Sequence, residues 1–402
     1  MRSQHIRALT GVRFFAALWV VVYHCTRHNG LLLANNHPEL RELTYPITSA
    51  GVRGVDLFFM LSGFVLALNY MDTLGGRLEI RPTLRFLWLR LARIWPLYML
   101  VIVGAGLLRI IRHDLWGSTG TNPITWTNLL RQALMVQQWF PPPRGPNSWV
   151  GPAWSLSAEW LAYLMFPVIV LVVARCHRRM RARTLLVLAG LTMVPLVVGI
   201  VVQGDMGGSV WILRILCEFT TGMLLCAAAS RLRLTPRMRR AAGVGAWLSV
   251  AAVFAWLYAV RFLRGDFELS ASVVVLFAPL IFFLAIGTGS LHNVLASRAL
   301  VLGGGLSYAL YLVHSPMLNL FRDVTEFSGF FYLEPLMRVY AELMLIPVMV
   351  LVAYLLYRFF EEPVRKLMRG MLDIQFSRAR GPVPPPPEDV QQEGVDETSR
   401  VP

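Results

Sequence analysis

Two residues able to do chemistry lie in one apolar stretch, LTGVRFFAALWVVVYHC, near the start of the chain. Arg13 carries a permanent cation, and His24 carries an imidazole that can exchange protons near neutral pH. In a helix, the eleven positions between them make about three turns plus 20°, so both side chains share one face, about 16 Å apart. The shared face predicts a joint role, and the alternative is that each side chain simply reaches its own membrane interface.

Three further ionisable side chains stand where apolar segments begin. Arg90 and Arg93, in FLWLRLARIWPLY, are spaced i and i+3 and predict an anion site, because paired guanidinium groups bind phosphates through bidentate hydrogen bonds. Glu159, in PAWSLSAEWLAYLMFP, requires a partner because a carboxylate is costly in lipid. Ser155 and Ser157 precede it and are interpreted as helix caps. The alternative for the two arginines is that they only mark topology.

Other polar residues occur inside apolar segments. Asp56 follows Arg53 by three positions, which indicates an interfacial ion pair, and Ser62 and Gly63 are small residues suited to close helix packing. Two further sets have helical spacing, one of them a candidate ion pair and the other either a hydrogen-bond network or part of a site. They are Arg214 with Glu218, and Ser307, Tyr311 and His314 in LSYALYLVHSP.

The elements that would position these residues are membrane helices. Hydrophobic residues make up 56% of the 402 residues and charged residues 15%, against about a quarter in soluble proteins. Apolar stretches of spanning length recur along the chain and predict an all-α polytopic bundle. The ten predicted spans are 9–25, 54–71, 94–111, 158–175, 184–202, 210–229, 241–261, 271–287, 299–320 and 338–358.

The net charge of +15 is explained by topology. Arginines concentrate in alternate connections, so the positive-inside rule places both termini in the cytoplasm, and no nucleic-acid partner is needed. Residues 1–370 then form one transmembrane domain, and the proline-rich and acidic segment 376–402 forms a disordered cytoplasmic tail. The four cysteines have no CxxC spacing, so the sequence predicts no metal site and no disulfide framework.

Together these stretches resemble the acyltransferase-3 family of integral membrane O-acyltransferases, in its compact form without a fused C-terminal hydrolase-like domain. Arg13 and His24 match the family's Arg-x10-His signature. The other matches follow in the family's order: GVDLFFMLSGF, RLARIWPLY, WSLSAEW, SYALYLVH and FEEP. The resemblance implies transfer of an acyl group, such as acetyl or another short chain, from acyl-coenzyme A to a hydroxyl of a surface polysaccharide, glycolipid, macrolide or other carbohydrate-containing acceptor. It also implies the bacterial cytoplasmic membrane.

On this interpretation, Arg13, Arg90 and Arg93 bind the phosphates of acyl-coenzyme A at the cytoplasmic mouth. Spans one and four run in opposite directions, so His24 and Glu159 are expected to meet near the external side, with Glu159 orienting His24 as general base or covalent acyl relay. Other residues are predicted to support the substrate or the oxyanion: Asp56, Trp154, Ser307, Tyr308, Tyr311 and His314.

Two other functions use the same residue types. A proton-coupled transporter also buries Arg, His, Asp and Glu within its helices, although the sequence shows no inverted repeat of the kind common in transporters. An acyl-binding sensor without turnover is the third alternative. The external connection 112–157, rich in Pro and Trp, is a candidate for contact with the acceptor.

Overall fold

The computed structural model describes residues 2–28, 38–116, 124–141, 148–205, 208–263, 270–328 and 335–378. Within these ranges the regular elements are all helical, as the apolar composition predicts. The α-helices are α1 Arg2–His28, α2 Pro38–Ser49, α3 Gly54–Leu74, α4 Ile80–Trp116, α5 Trp126–Ala133, α6 Trp154–Arg179, α7 Ala182–Gln203, α8 Val210–Ser230, α9 Pro236–Leu263, α10 Phe277–Ile286, α11 Ser290–Leu295, α12 Arg298–Ser328, α13 Pro335–Leu356 and α14 Glu362–Arg378.

Short irregular helical turns join several of these helices. Three are 3₁₀ turns, and they precede α3, α6 and α10. A π-helical turn, Tyr357–Glu361, separates α13 from α14. Such turns often lie at functional sites because they change the direction of one side chain within a continuous helix. The four turns are Ala50–Arg53, Gly151–Ala153, Ala271–Leu276 and Tyr357–Glu361.

All ten predicted spans fall on helices, and among the described residues eight helical segments are long and apolar enough to cross a membrane. The prediction of an all-α membrane bundle is confirmed. The predicted spans 271–287 and 299–320 are not among the eight: the apolar helix Ala271–Ile286 is short, and α12 is rich in polar residues. The number ten, the cytoplasmic termini and the domain bounds stay predictions. The segment 379–402 of the predicted tail lies outside the described residues.

The helices approach one another most closely through glycines. A Cβ at Gly63 on α3 would lie 2.0 Å from the Phe219 carbonyl oxygen on α8, and one at Gly222 on α8 would lie 2.0 Å from that of Met60. The packing role predicted for Gly63 is therefore confirmed, because small residues let membrane helices meet at backbone distance. The packing of α1 against α12 follows the same principle at Gly304, where a Cβ would lie 1.9 Å from the Thr10 carbonyl oxygen.

Helix packing brings four elements of the predicted site together. α1 packs against both α3 and α12, and α3 also packs against α6. Side chains on the facing surfaces of α1, α3, α6 and α12 therefore share one interior region. This region holds the largest group of residues that the sequence predicts to be functional.

Candidate functional site

Arg13 lies inside the bundle on the continuous helix α1. Because α1 is unbroken, Arg13 and His24 share one face at a spacing of about 16 Å, as the sequence predicts. The Arg13 guanidinium carbon lies 5.5 Å from the centre of the Phe58 ring, a cation–π contact. Its Nε has no hydrogen-bond partner among the described residues. Arg13 lies within electrostatic range of Arg93 and Glu159.

Glu159 is held by two hydroxyl groups. Its Oε1 accepts a hydrogen bond from Ser62 Oγ at 3.0 Å and another from Tyr163 Oη at 2.5 Å. These contacts, with its position near Arg13, differ from the predicted arrangement in which Glu159 orients His24. Ser62 was predicted to have a packing role, and no role was predicted for Tyr163, although its spacing of four residues from Glu159 on α6 was a usable signal.

Arg90 and Arg93 extend this region along α4. Arg90 Nη2 donates to Tyr70 Oη at 3.3 Å, and its Nε has no hydrogen-bond partner in the described part of the chain. Arg93 forms an ion pair with Glu361, which is 2% exposed and is placed by the π-helical turn. Glu361 Oε1 also lies 3.7 Å from Arg365 Nη1. Glu361 belongs to the FEEP motif, and no role was predicted for it from the sequence.

Four arginines and two glutamates of this region form a group that we call the cationic cluster. Four guanidinium groups face two carboxylates, so the cluster has a formal excess of two positive charges. Arg93 pairs with Glu361, whereas Arg13 and Arg90 keep donor atoms without partners among the described residues. The surplus suits an anionic ligand. The members of the cluster are Arg13, Arg90, Arg93, Glu159, Glu361 and Arg365.

A small cavity of about 40 Å³, the Arg13 cavity, opens beside the cluster. Trp154 lies behind its wall, where it packs edge-on against the Phe59 ring at 6.2 Å. The volume is far below the ~300 Å³ of a typical small-molecule pocket, so it suits a small group rather than a whole donor. The lining residues are Arg13, Val55, Phe58, Phe59, Ser155, Leu156, Glu159, Ser307, Tyr308 and Tyr311.

The α12 side chains on the cavity wall are fixed by backbone carbonyls. Tyr308 Oη donates to the Ile94 carbonyl at 2.5 Å, and Tyr311 Oη donates to the Pro152 carbonyl at 2.8 Å. Ser307 Oγ donates to a carbonyl one turn earlier in its own helix at 2.8 Å. With their protons committed in this way, the three hydroxyls shape the wall and offer oxygen lone pairs to the cavity.

The two serines before Glu159 do not cap α6, so that interpretation is wrong. Ser155 Oγ donates to the Pro152 carbonyl at 3.1 Å, and Ser157 Oγ donates to the Met135 carbonyl at 2.7 Å. A cap needs the oxygen to accept from the first free amides of the helix. Here the turn Gly151–Ala153 starts the helix earlier, so both serines lie inside it and tie it to neighbouring loop segments.

His24 lies beside His314, with 5.0 Å between the ring centres. His314 is fully buried. The backbone carbonyls one turn earlier are near its ring, yet neither ring nitrogen makes a hydrogen bond of ordinary geometry among the described residues. Ring contacts lead from His314 back to the cavity: 5.8 Å to Tyr311, and 6.2 Å from Tyr311 to Phe58, which lies under Arg13. A chain of side-chain contacts therefore connects the guanidinium to the imidazoles.

No role was predicted from the sequence for two residues near His24, Arg322 and Glu342. Arg322 Nη2 donates to the His24 carbonyl at 3.1 Å and to Glu342 Oε2 at 3.2 Å, while Arg322 Nε donates to Glu342 Oε1 at 3.0 Å. Glu342 is fully buried. The pair fixes the end of α1 that carries His24. A buried carboxylate in a predicted span was the available signal for Glu342.

Asp56 lies in a separate group, which we call the Arg53 network. Arg53 donates through both Nη atoms to Asp205, at 2.6 and 2.5 Å, and lies 3.8 Å from Asp56. Arg214 pairs with Asp56 and also with Asp205, at 2.5 Å. The network consists of Arg53, Asp56, Asp205, Arg214 and the fully buried Glu218.

The Arg53 network corrects two predictions. The predicted Arg214–Glu218 ion pair is wrong, because both Nη atoms of Arg214 are taken by Asp56 and Asp205. Asp56, predicted to support substrate, is instead committed to arginines. Burial alone would raise the pKa of Asp205, but the hydrogen bond and charge of Arg53 and the charge of Arg214 outweigh it and lower that pKa.

A family model described as an acyltransferase domain matches residues 6–358. The acyltransferase MdmB of Streptomyces mycarofaciens is 33% identical over 168 residues, 42% of this chain and 40% of that protein. The O-acetyltransferase OatA of Staphylococcus aureus is 24% identical, and the putative peptidoglycan O-acetyltransferase YrhL of Bacillus subtilis 25%, each over 90% of this chain. The matches cover 40%, 58% and 56% of these three relatives. No solved structure matches the chain.

Proposed function

Since the chain belongs to the acyltransferase-3 family, we propose that it is a membrane-bound O-acyltransferase. It transfers an acyl group, acetyl or another short chain, from acyl-coenzyme A to a hydroxyl of a carbohydrate-containing acceptor. The names of OatA and YrhL, which include O-acetyltransferase, support the reaction class. The likeness to bacterial proteins and the apolar helices support a place in the bacterial cytoplasmic membrane.

The observation that carries this proposal is the charge surplus of the cationic cluster. Coenzyme A carries several phosphates, and guanidinium groups bind phosphates through charge-assisted hydrogen bonds. Arg13 and Arg90 keep buried donor atoms without partners among the described residues, so they are the natural phosphate ligands. Arg93 is already paired with Glu361 and contributes charge.

The path from Arg13 to His24 sets the position of the thioester. With the phosphates held near Arg13 and Arg90, the pantetheine arm extends along α1 for about 16 Å. The ring contacts of Phe58, Tyr311 and His314 line that route. The thioester carbonyl then reaches the imidazoles of His24 and His314.

His24 acts on the acceptor. Its imidazole takes the proton of the hydroxyl, the oxygen attacks the thioester carbonyl, and the tetrahedral intermediate expels the coenzyme A thiolate, which receives the proton. In the alternative route the His24 nitrogen attacks the thioester first, and the C–S bond breaks to release the coenzyme A thiolate. The acceptor oxygen then takes the acyl group from His24, and the hydroxyl proton goes to the thiolate. Labelled acyl-protein formed without acceptor would identify the second route.

The test uses purified full-length protein in lipid nanodiscs with labelled acetyl-coenzyme A and a panel of sugar acceptors. His24→Ala is expected to lower acceptor-dependent transfer by about 10²–10⁴-fold while coenzyme A still binds. His177→Ala is the matched control, because His177 lies on α6 with Nδ1 3.0 Å from the Ala227 carbonyl, outside the proposed path. Full turnover in the His24 variant contradicts its role.

The same assay separates the other two functions. Binding of acetyl-coenzyme A without acceptor-dependent loss of the thioester would indicate a sensor. The lack of both binding and turnover would favour the proton-coupled transporter, which uses the same buried ionisable residues.

A further inference from the structure

The Arg53 network contains one carboxyl group more than its arginines can balance. Arg53 donates through both Nη atoms to Asp205, and Arg214 pairs with Asp56 and with Asp205. These two guanidinium groups and two carboxylates are neutral when taken together. Glu218 is the third carboxyl group, and in its ionised form it would give the network a net negative charge.

Glu218 has no compensating contact of its own. Its side chain is fully buried, and neither Oε1 nor Oε2 has a hydrogen-bond partner among the described residues. An isolated carboxylate is among the costliest groups to remove from water, so burial of this kind favours the neutral acid. A protonated carboxyl group can also donate one hydrogen bond, which a carboxylate cannot.

Asp56 provides the acceptor for such a donor. Its side chain lies within the range of a hydrogen bond to the Glu218 side chain. Asp56 Oδ1 pairs with Arg214, whereas Oδ2 lies 3.8 Å from Arg53 Nη1 and accepts no hydrogen bond in the described part of the chain. Asp56 stays ionised because both arginines lie beside it, so the proton that this contact needs belongs to Glu218.

The other helices around α8 bring no cation that could compensate Glu218. α8 packs against α3, α6, α7 and α10. α10 carries no ionisable side chain, and the ionisable side chain of α7 is Arg183, at the opposite end of that helix from Asp205. On α6, Glu159 is itself acidic and is held by two hydroxyl groups, and the basic residues lie at the far end of the helix. The charges around Glu218 are therefore those of the Arg53 network.

We propose that Glu218 and Asp56 form a binding site for one proton, which Glu218 carries and donates to Asp56 Oδ2. The proton makes the Arg53 network neutral and ties α8 to α3. The tie lies one turn from the contact of Gly222 with the Met60 carbonyl, where the two helices meet at backbone distance. This inference does not depend on the proposed O-acyltransferase function.

Infrared spectra of the full-length protein in nanodiscs at pH 7 test the site directly. The C=O stretch of a carboxylic acid is separated from the bands of a carboxylate, and exposed carboxyl groups are ionised at this pH. Wild type should have a carboxylic-acid band that shifts when the glutamate side-chain carboxyl carbon is labelled with ¹³C. The lack of such a band overturns the proposal without requiring any variant.

Three variants assign the band. Glu218→Gln keeps the shape and a donor for Asp56, and it should remove the band. Asp56→Asn should remove it as well, because the two arginines then face one carboxylate fewer and Glu218 becomes ionised. Glu342→Gln is the matched control: Glu342 is also fully buried, but it pairs with Arg322 at 3.0 Å and should contribute no such band. A glutamic-acid band that is unchanged in Glu218→Gln, or one that persists in Asp56→Asn, overturns the proposal.

The pH dependence of stability gives an independent test. In the unfolded chain Glu218 has the usual glutamate pKa of about 4.3 and is ionised at neutral pH. Folding therefore takes up one proton, and the stability that this proton contributes is lost as the pH rises. From about pH 5 to pH 9, the apparent Tm of wild type should fall relative to that of Glu218→Gln, whereas the difference between wild type and Glu342→Gln should stay constant.

Two outcomes of the stability measurement contradict the proposal. Parallel Tm profiles of wild type and Glu218→Gln would show that folding takes up no proton at this site. An apparent Tm that rises with sodium chloride relative to choline chloride at equal ionic strength, and does so in wild type but not in Glu218→Gln, would show that a sodium ion neutralises the network in place of the proton.

Discussion

The protein buries two groups of charges within its helices, and they differ in how the charges are used. In the Arg53 network, two guanidinium groups face three carboxyl groups, and both guanidiniums are shared among Asp56 and Asp205. In the cationic cluster, four guanidinium groups face two carboxylates, which leaves a formal excess of two positive charges.

The difference in charge balance predicts a different role for each group. A network in which carboxyl groups outnumber the guanidinium groups needs no anionic ligand, and removing one member leaves the others buried with less charge compensation. A cluster with surplus cations is completed by an anion from outside. The Arg53 network is therefore expected to determine stability, and the cationic cluster is expected to determine donor binding.

The largest effect is expected from Arg214→Met, which leaves Asp56 and Asp205 with less compensation inside the protein. Loss of one partner from a buried ion-pair network costs about 3–5 kcal/mol of folding free energy. The fraction of monodisperse protein and the apparent Tm in detergent should both fall sharply. Arg90→Met, in the other group, is the matched control and should leave both unchanged.

A double variant sharpens this result. Adding Asp56→Asn to Arg214→Met removes the carboxylate that was left without its cation, so part of the lost stability should return. If Arg214→Met alone keeps the wild-type Tm, the structural role of the Arg53 network is contradicted.

The second effect concerns donor binding. Arg90→Met should raise KM for acetyl-coenzyme A by about 10–100-fold, since a hydrogen bond to a charged group contributes roughly 1.5–3 kcal/mol. S-acetylpantetheine, which lacks the phosphates, provides the control donor. With that donor, wild type and Arg90→Met should have similar KM values. An equal loss with both donors would show that Arg90 does not bind phosphate.

A smaller effect is expected from Glu159→Gln. The change removes a negative charge near Arg13 and keeps a group that can bond to Ser62 and Tyr163. The enlarged cation surplus should lower KM for acetyl-coenzyme A about two- to fivefold, and the pH dependence of kcat should stay the same. A shifted acidic limb of that profile would instead support the predicted pairing of Glu159 with His24.

How much of each region can be predicted from the sequence depends on whether its contacts are local or made by tertiary packing. The shared face of Arg13 and His24 follows from helix periodicity, which is local, and the apolar spans follow from their length. The Arg93–Glu361 pair joins residues 268 positions apart, so only tertiary packing and the π-helical turn bring them together. Local spacing suggested Arg214–Glu218, but packing gave Arg214 nearer carboxylates.

The contacts of Asp205 are likewise set by tertiary packing and could not be predicted from local sequence. Asp205 lies in a short glycine-containing connection, QGDMGGS, that carries no periodicity. Its role depends on Arg53, 152 residues earlier in the chain. Glycine packing, in contrast, was predictable at Gly63 because a small residue in the middle of an apolar span has few other uses.

The smallest effect is the change with pH in the stability that Asp205 gives to the Arg53 network. The pKa of Asp205 is lowered in the folded protein, so its ion pairs add stability above the usual carboxyl pKa of about 3.9. That contribution is lost as the pH falls through the lowered pKa. Asp205→Asn should therefore have a lower apparent Tm than wild type at pH 7, and the difference should persist to pH 5 and narrow only below about pH 4.

Asp72→Asn, on an exposed position of α3, is the control and should follow the wild-type profile. An Asp205→Asn variant that is as stable as wild type at pH 7, or more stable, would mean that the folded pKa is not lowered, and that Arg53 and Arg214 do not stabilise the Asp205 charge. The cationic cluster offers a second comparison, because coenzyme A should raise the Tm of Asp205→Asn by as much as that of wild type if the two groups act independently. A smaller increase would show that the two groups are coupled through α3, which carries Asp56 of the network and Ser62 at Glu159.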